Sequence, residues 1–514
     1  MRTAKITHRG VRGHRTGHLS WMWHGTYLLV VLVFLYLRTF LIPWTPLSPS
    51  GDEVHYFLHG VRMLHGQLPY RDFFTFVPPG TDLLYLGMFR LFGVHAWVVQ
   101  GILIVLGFLL TCAILWVSIR ILDGTTALLP GFLFLALDLS GALDATHHWW
   151  CALFVLTATG TLMRGRDRTR LAIVGGLCGV ATLFTQTQGG LSLLAIALYL
   201  VWTQPVENQA GRKRELTALV TPFALIVGAF VAYYSWRIGF YTPAYWTIYF
   251  PLRYFSTLEA HTPRAYFLGR PQIKGVGDLP AATPYVFVHL VVPLMYLLCL
   301  FRLFREKQNM EEQTWQRVFL IALVGLAMFA SVVSAPTPLR LYVVAPPAVI
   351  LCVWYFGRPV KLDRMVRGAL WAAALLLIIL LPARRQLSQR TFLNAPIGRI
   401  AFLRPQGYEQ VLWFAQRTRP GDTFINSPSL AFVLSLESPG PLDYVTAHAF
   451  TRPEQVQQLI QSMEAHRTQF VYFYPELYEG TRPVDDNLGP LRQYIAQNYH
   501  LAKDDADGKV WERK

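Results

Sequence analysis

The chain has 514 residues, of which 53% are hydrophobic and only 15% are charged. That is more apolar side chain than a soluble protein of this length buries, so the surplus belongs in lipid. A formal net charge of +16 would suit a nucleic-acid partner, but the cations fall in short clusters between apolar stretches, the distribution of membrane-topology signals, so none is expected.

The basic stretch 1–24, with Arg2, Lys5, Arg9, Arg12 and Arg15, runs into a long apolar segment that lacks a small-x-small cleavage site. This predicts a cytoplasmic tail followed by a retained first span. About eleven spans follow, each able to cross roughly 30 Å of hydrocarbon with some tilt or shortening. Their expected limits are 25–43, 95–118, 125–142, 148–163, 170–185, 190–203, 217–236, 283–301, 315–333, 341–356 and 368–382. With the tail inside, the clusters Arg164/Arg166/Arg168/Arg170, Arg212/Lys213/Arg214, Arg302/Arg305/Lys307 and Arg358/Lys361/Arg364/Arg367 all lie in inner connections, as the positive-inside rule requires. The outer connections are then 44–94, 143–147, 186–189, 237–282 and 334–340. The run PGTDLLYLGMFRLFG at 79–93 carries Asp82 and Arg90. Counting it as a span would invert every later loop against its charge, so it is expected to be an interfacial or re-entrant helix outside. The five cysteines, Cys112, Cys151, Cys178, Cys299 and Cys352, sit in or beside apolar runs without a CxxC pair and read as small hydrophobes. Residues 383–514 change character, alternating strand and helix signals such as GDTFINS, EQVQQLIQSMEAH and FVYFYP, which predicts a small α/β domain. The expected fold is therefore an all-α polytopic membrane domain over 25–382 with outer juxtamembrane helices, followed by an extracytoplasmic α/β domain over 383–514.

The chemistry concentrates after the first span, in LSPSGDEVHYFLHGVRMLHGQLPYRDFFTFVPPG. Ser48 or Ser50 before Asp52 and Glu53 resembles a helix start, and Val54 to Leu64 would form a juxtamembrane helix. An acid at the membrane surface is costly without a partner, and such a carboxylate can accept the proton of an attacking hydroxyl. The alternative is that Asp52 and Glu53 only cap the helix they begin. His55 and His59 lie four apart and with Glu53 could ligate a metal, with His148 a further candidate, but a histidine pair at this spacing is a weak signal and plain interfacial packing is the leading explanation. No cofactor is required, although a divalent metal is possible. His147 and His148 beside Asp144 point to a polar cavity shared with another outer connection.

The outer Asp-Glu, then HGxxPYRDFFxxxPPG and a helix ending MFRLFG, resembles the bacterial members of the GT-C superfamily of polyprenyl-phosphate-dependent glycosyltransferases, in particular the protein O-mannosyltransferase and aminoarabinose-transferase-like, family 39-like or RgtA/B/C/D-like group. The likeness runs over about residues 25 to 380 and is strongest over 48–93. It implies that Asp52, with Glu53 beside it, activates the acceptor, that Asp144 supports the site, and that Gln186 stands where relatives carry a Lys. It also implies that Arg340, in RLYVVAPP, contacts the departing phosphate, for which a guanidinium has bidentate geometry. Arg71, Arg253, Lys274, Tyr70 and His147 are further substrate or phosphate candidates; Arg71 has Asp72 as an alternative partner, and Arg340 could simply snorkel at a helix start. The implied activity is inverting transfer of a sugar from a polyprenyl-phosphate donor to a hydroxyl on a lipid, glycan or protein, at the outer face of a bacterial inner membrane, with membrane lipids as surroundings. The rival from another class is a secondary transporter or flippase, but two related halves with matching broken helices are not evident. A non-catalytic lipid-binding or assembly protein is a second rival.

Overall fold

The structure is a computed structural model that describes residues 21–138, 144–205, 208–272, 275, 279–358, 360–474, 477, 485–505 and 508–514. Among the described residues six helices are long and apolar enough to cross a membrane: Met22–Thr39, Ala96–Ser118, Gln209–Ile238, Ala282–Arg305, Glu312–Ser331 and Lys361–Leu387. Between them run the shorter helices His147–Leu162, Arg168–Phe184 and Gln186–Thr203 and the apolar helical segments Gly124–Leu137 and Pro346–Tyr355. The outward faces carry large apolar side chains, among them Leu225, Trp236 and Leu376, which require lipid around them. The chain is a polytopic helical membrane protein.

Helix boundaries follow local chemistry. Asp167 caps Arg168–Phe184 by accepting the Arg170 N–H, and Gly93 and Gly239 end their helices at φ +78° and +80°, where a side chain is disfavoured. Small residues set the helix spacing. A Cβ on Gly175 would lie 1.8 Å from the Leu219 carbonyl oxygen, so the helices Arg168–Phe184 and Gln209–Ile238 meet backbone to side.

The connections sort to two ends of the bundle. At one end Arg166 reaches Tyr199, Thr203 and Gln316, and Arg317 donates to the Arg120 carbonyl; these belong to the basic connections expected inside. At the other end lie the 44–94 loop, residues 144–147 and Arg340. The helix Gly80–Phe92 stays at this second end. Its start pairs Asp82 with His59, its last turn places Phe89 against Phe432, and Ala96 just beyond donates to the Ile397 carbonyl. Both extremities thus touch elements at the same end of the bundle.

The C-terminal region begins with an antiparallel hairpin, Thr391–Ala395 with Gly398–Phe402. A four-stranded mixed sheet follows, in the order Phe424–Ile425, Phe470–Phe473, Gly508–Arg513, Tyr499–Asp505, whose first pair is parallel and the rest antiparallel. The helices Pro453–Ala465 and Gly489–Asn498 bury Val456, Leu459, Met463, Leu491 and Ile495 in the same core as Val471 and Phe473. The hairpin and the helix Pro405–Ala415 were not among the strand and helix signals read from this stretch.

A buried charge network docks this region on the juxtamembrane helix Glu53–Leu64. His59 Nδ1 pairs with Asp82 at 3.0 Å and its Nε2 with Asp443 at 3.2 Å, while Arg62 donates to the other Asp443 oxygen at 2.8 Å. Burial alone would lower the His59 imidazole, but Asp82 and Asp443 together outweigh it and lift it to about 9. Burial would likewise raise Asp443, yet Arg62, His59 and His55 hold it well below the usual carboxylate range. Each shift records a charge stabilised by a partner from a distant part of the chain.

Two outcomes follow. Gly175→Val should lower stability by about 1–3 kcal/mol through overpacking, whereas Gly176→Ala, whose Cβ would meet only Ile226 Cδ1 at 3.7 Å, should be neutral; thermal unfolding in detergent compares them. Because the folded state raises the His59 pKa, the docking contribution is complete below about pH 6.5 and is lost as pH rises through about 9. His59→Gln should flatten that part of the profile, and Asp443→Asn, which leaves buried cations without their carboxylate, should cost about 3–5 kcal/mol.

Candidate active site

The helix Glu53–Leu64 builds the site from its first residues. Gly51, at φ +88°, turns the chain out of the SPS segment and delivers Asp52 to the position before the helix. Asp52 makes no capping hydrogen bond with its side chain, so the capping explanation of this acid is not realised, and its carboxylate is exposed. Glu53 is buried instead, and its Oε2 accepts the Ala145 N–H at 2.8 Å. Asp144, one residue earlier in that connection, accepts from the Thr146 N–H at 3.2 Å and the Thr146 hydroxyl at 2.8 Å. One turn along the helix, the Tyr56 hydroxyl hydrogen-bonds His147 Nδ1. Tyr85 donates to the Ala145 carbonyl at 3.4 Å from the helix Gly80–Phe92. Three contacts thus hold the first outer loop against residues 144–147, which start 91 positions downstream of Glu53.

Electrostatics define the pocket between them. Burial, then Asp144 and Asp52, together lift the Glu53 carboxyl to about 8 against the Ala145 N–H. Burial also raises Asp144 to about 7 against the hydrogen bonds from Thr146, with Asp52 adding to the rise. Both buried carboxyls are therefore harder to ionise than ordinary acids. Arg340 stands on the other side, its Nη1 donating to the Ala335 carbonyl at 3.2 Å and its guanidinium 5.1 Å from the centre of the Phe255 ring. Burial lowers this guanidinium, and the nearby charge of Asp52 and then Tyr56 raise it again. Arg340 in turn lies within electrostatic reach of His147, His148 and His261. Asp52, Glu53, Asp144, Tyr56, His147 and Arg340 therefore form one electrostatically linked cluster, with Asp52 at its exposed edge.

Other candidates from the sequence lie elsewhere. Arg71 is exposed and spends its guanidinium on Asp72 at 2.7 and 2.9 Å, so the local ion pair prevails over phosphate binding. Tyr70 is buried, donates to the Val77 carbonyl at 2.8 Å and packs on Tyr234, which makes it a brace of its own loop. Arg253 is exposed beside Tyr254. Gln186 donates to the Thr247 carbonyl at 3.3 Å, tying the start of the helix Gln186–Thr203 to the 237–282 connection. Lys274 lies outside the described residues. The weak metal set of Glu53, His55, His59 and His148 does not assemble. His59 commits both ring nitrogens to carboxylates, His55 packs on Tyr444, His148 stacks on His147, and among the described residues no group of three His, Cys, Asp or Glu is placed to hold a metal ion.

Some site residues carry little local signal. Tyr56 was accessible through its spacing, since three residues after Glu53 places it on the same helical face. His261 and Phe255 come from an irregular aromatic stretch, and Asp443 and Tyr444 from the C-terminal region, and no pattern in the chain marks them.

No protein-family model matches the sequence, and no curated protein matches it. Among solved structures, ArnT from Cupriavidus metallidurans bound to undecaprenyl phosphate aligns with a TM-score of 0.59 at 14% identity, over 95% of this chain and 97% of that one. The apo form of the same enzyme aligns at 0.61 and 14% identity, with the same coverage of both chains. The archaeal oligosaccharyltransferase AglB from Archaeoglobus fulgidus, in complex with an inhibitory peptide and a dolichol-phosphate, aligns at 0.52 and 15% identity over 96% of this chain and 75% of that one. Likeness of this extent at such low identity speaks for the fold alone: the chain shares the architecture of ArnT and AglB.

Proposed function

We propose that the protein is an inverting glycosyltransferase that moves a sugar from a polyprenyl-phosphate donor to a hydroxyl acceptor at the outer face of a bacterial inner membrane. In this reading the eleven apolar segments cross the bilayer, residues 1–24 stay inside, and the pocket and residues 383–514 lie outside. The observation that carries it is the meeting of an uncapped, exposed carboxylate at Asp52 with the guanidinium of Arg340, separated by 288 positions in sequence yet close enough for each to act on the other's charge. The carriers held by the two similar structures, undecaprenyl phosphate in ArnT and a dolichol-phosphate in AglB, support a polyprenyl-phosphate donor.

The residues divide the reaction between them. Asp52 takes the proton of the acceptor hydroxyl as its oxygen attacks the anomeric carbon. The bond from that carbon to the phosphate oxygen breaks on the opposite side, inverting the configuration, and polyprenyl phosphate departs with the electron pair. Arg340 stabilises the charge gathering on the phosphate. Glu53 and Asp144, held near neutral, keep the acid cluster from repelling an anionic donor, and Glu53 fixes the helix that presents Asp52.

Asp52→Asn should reduce transfer by roughly 10²- to 10⁴-fold while donor binding and thermal stability persist; a full loss of folding, or unchanged turnover, would sink the role assigned to it. Arg340→Gln should weaken both donor binding and turnover, and Arg340→Lys should restore them only in part because it lacks the bidentate fork. Incubating purified protein with a panel of polyprenyl-phosphate sugars and analysing products by mass spectrometry tests the reaction itself. Uptake into sealed vesicles with no new glycosidic bond would favour transport instead.

A further inference from the structure

Three arginines meet at the end of the bundle opposite the acid cluster. Arg120 lies just beyond the helix Ala96–Ser118, Arg164 just beyond His147–Leu162, and Arg317 in the second turn of Glu312–Ser331. Arg317 Nη1 donates to the Arg120 carbonyl at 2.9 Å. Burial, then the like charges of Arg164 and Arg317, lower the Arg120 guanidinium. The acids of the neighbouring segments are engaged elsewhere or stand apart: Asp167 pairs with Arg170, Glu312 accepts from Gln316, Glu311 accepts from Thr314, and Asp123 is exposed. Among the described residues no carboxylate makes an ion pair with Arg120, Arg164 or Arg317.

Topology alone does not explain this arrangement. A cation that only sets orientation projects into water, whereas the Nε atoms of Arg120 and Arg317 are sealed from solvent without a hydrogen-bond partner. A guanidinium partly stripped of water is costly unless an anion meets its open nitrogens. Like charges drawn together in this way constitute a site for an anion, and guanidinium forks match the oxygens of a phosphate. The depth of the cluster identifies the source of that phosphate. Trp116, in the last turn of its helix, is exposed, and the Arg164 guanidinium lies 5.1 Å from the centre of its ring. Trp202, near the end of the helix Gln186–Thr203, is exposed at the same end, beside Phe319. Tryptophan exposed where a span ends belongs at headgroup level, so the arginines sit where lipid phosphates sit.

We propose that Arg120, Arg164 and Arg317 form a binding site for an anionic phospholipid, holding its headgroup phosphate at the end of the bundle remote from the acid cluster. A headgroup with an ammonium would set a further cation among cations, so a phosphate esterified to an uncharged alcohol is preferred. The site does not depend on glycosyl transfer. Native mass spectrometry of the full-length protein in neutral detergent counts bound lipids and tests it with three probes: short-chain phosphatidylglycerol, phosphatidylcholine of the same chain length, and glycerol phosphate. The protein should hold at least one phosphatidylglycerol at a concentration roughly tenfold below that at which phosphatidylcholine loads. Arg164→Gln, at an exposed position where folding is not at stake, should hold one lipid fewer at that concentration, and Arg120→Gln should do the same. Arg305→Gln, which removes an exposed cation from the last turn of Ala282–Arg305, should keep the full count. Equal loading of phosphatidylcholine, the full count in Arg164→Gln or in folded Arg120→Gln, or a lipid lost in Arg305→Gln would overturn the site. Displacement of the lipid by an equal concentration of glycerol phosphate would overturn the lipid as ligand.

Discussion

The hydrogen bond from the Ala145 N–H to Glu53, 2.8 Å long and buried, is the contact on which the site depends. A carboxyl in this position would be expensive without a donor, and the donor comes from a connection between two other helices. Once it is made, the direction of the helix Glu53–Leu64 is set, Tyr56 meets His147, and Asp52 is left at the helix start with its carboxylate unspent. Neighbouring acids thereby acquire opposite roles. Glu53 turns inward, becomes harder to ionise and supports the fold; Asp52 faces the pocket and remains available for chemistry.

The same helix carries a second polar contact on its next turns. His59 and Arg62 grip Asp443, so the C-terminal region is anchored less than three turns from Asp52. Apolar packing follows the same route, with Phe57 and Phe89 against Phe432. The juxtamembrane helix is therefore the common wall of bundle, acid cluster and C-terminal region, and a displacement of any one of them would move the Asp52 carboxylate.

Charge is arranged around that wall with some economy. Arg340 lies to one side of the acid cluster, and a cavity lined by Arg38, Arg385 and Arg404 to another, each beside apolar helix faces that require lipid. Lipid-facing helices and a polar pocket at one end of the bundle are thus two consequences of the same burial pattern.

Much of this was legible in the chain. Runs of apolar residues long enough for the bilayer and the placement of arginine clusters depend on local composition, so class, helix positions and the two ends of the bundle could be read directly. The helix at 79–93 was legible too, its Asp82 and Arg90 setting it apart from the long apolar runs, as was the position of Asp52 directly after the first apolar segment. What local composition does not encode is which distant side chains share a pocket. Arg71 and Arg340 are both arginines in outer connections, yet one is consumed by Asp72 at the next position and the other faces Asp52. His55 and His59 have the spacing of metal ligands, and only packing against Tyr444, Asp82 and Asp443 decides otherwise. Hydropathy and topology are sums over neighbouring residues and are therefore determined by the sequence alone. The site rests on hydrogen bonds and ion pairs between segments tens to hundreds of positions apart, whose existence depends on how the helices pack, and so only the tertiary structure could decide it.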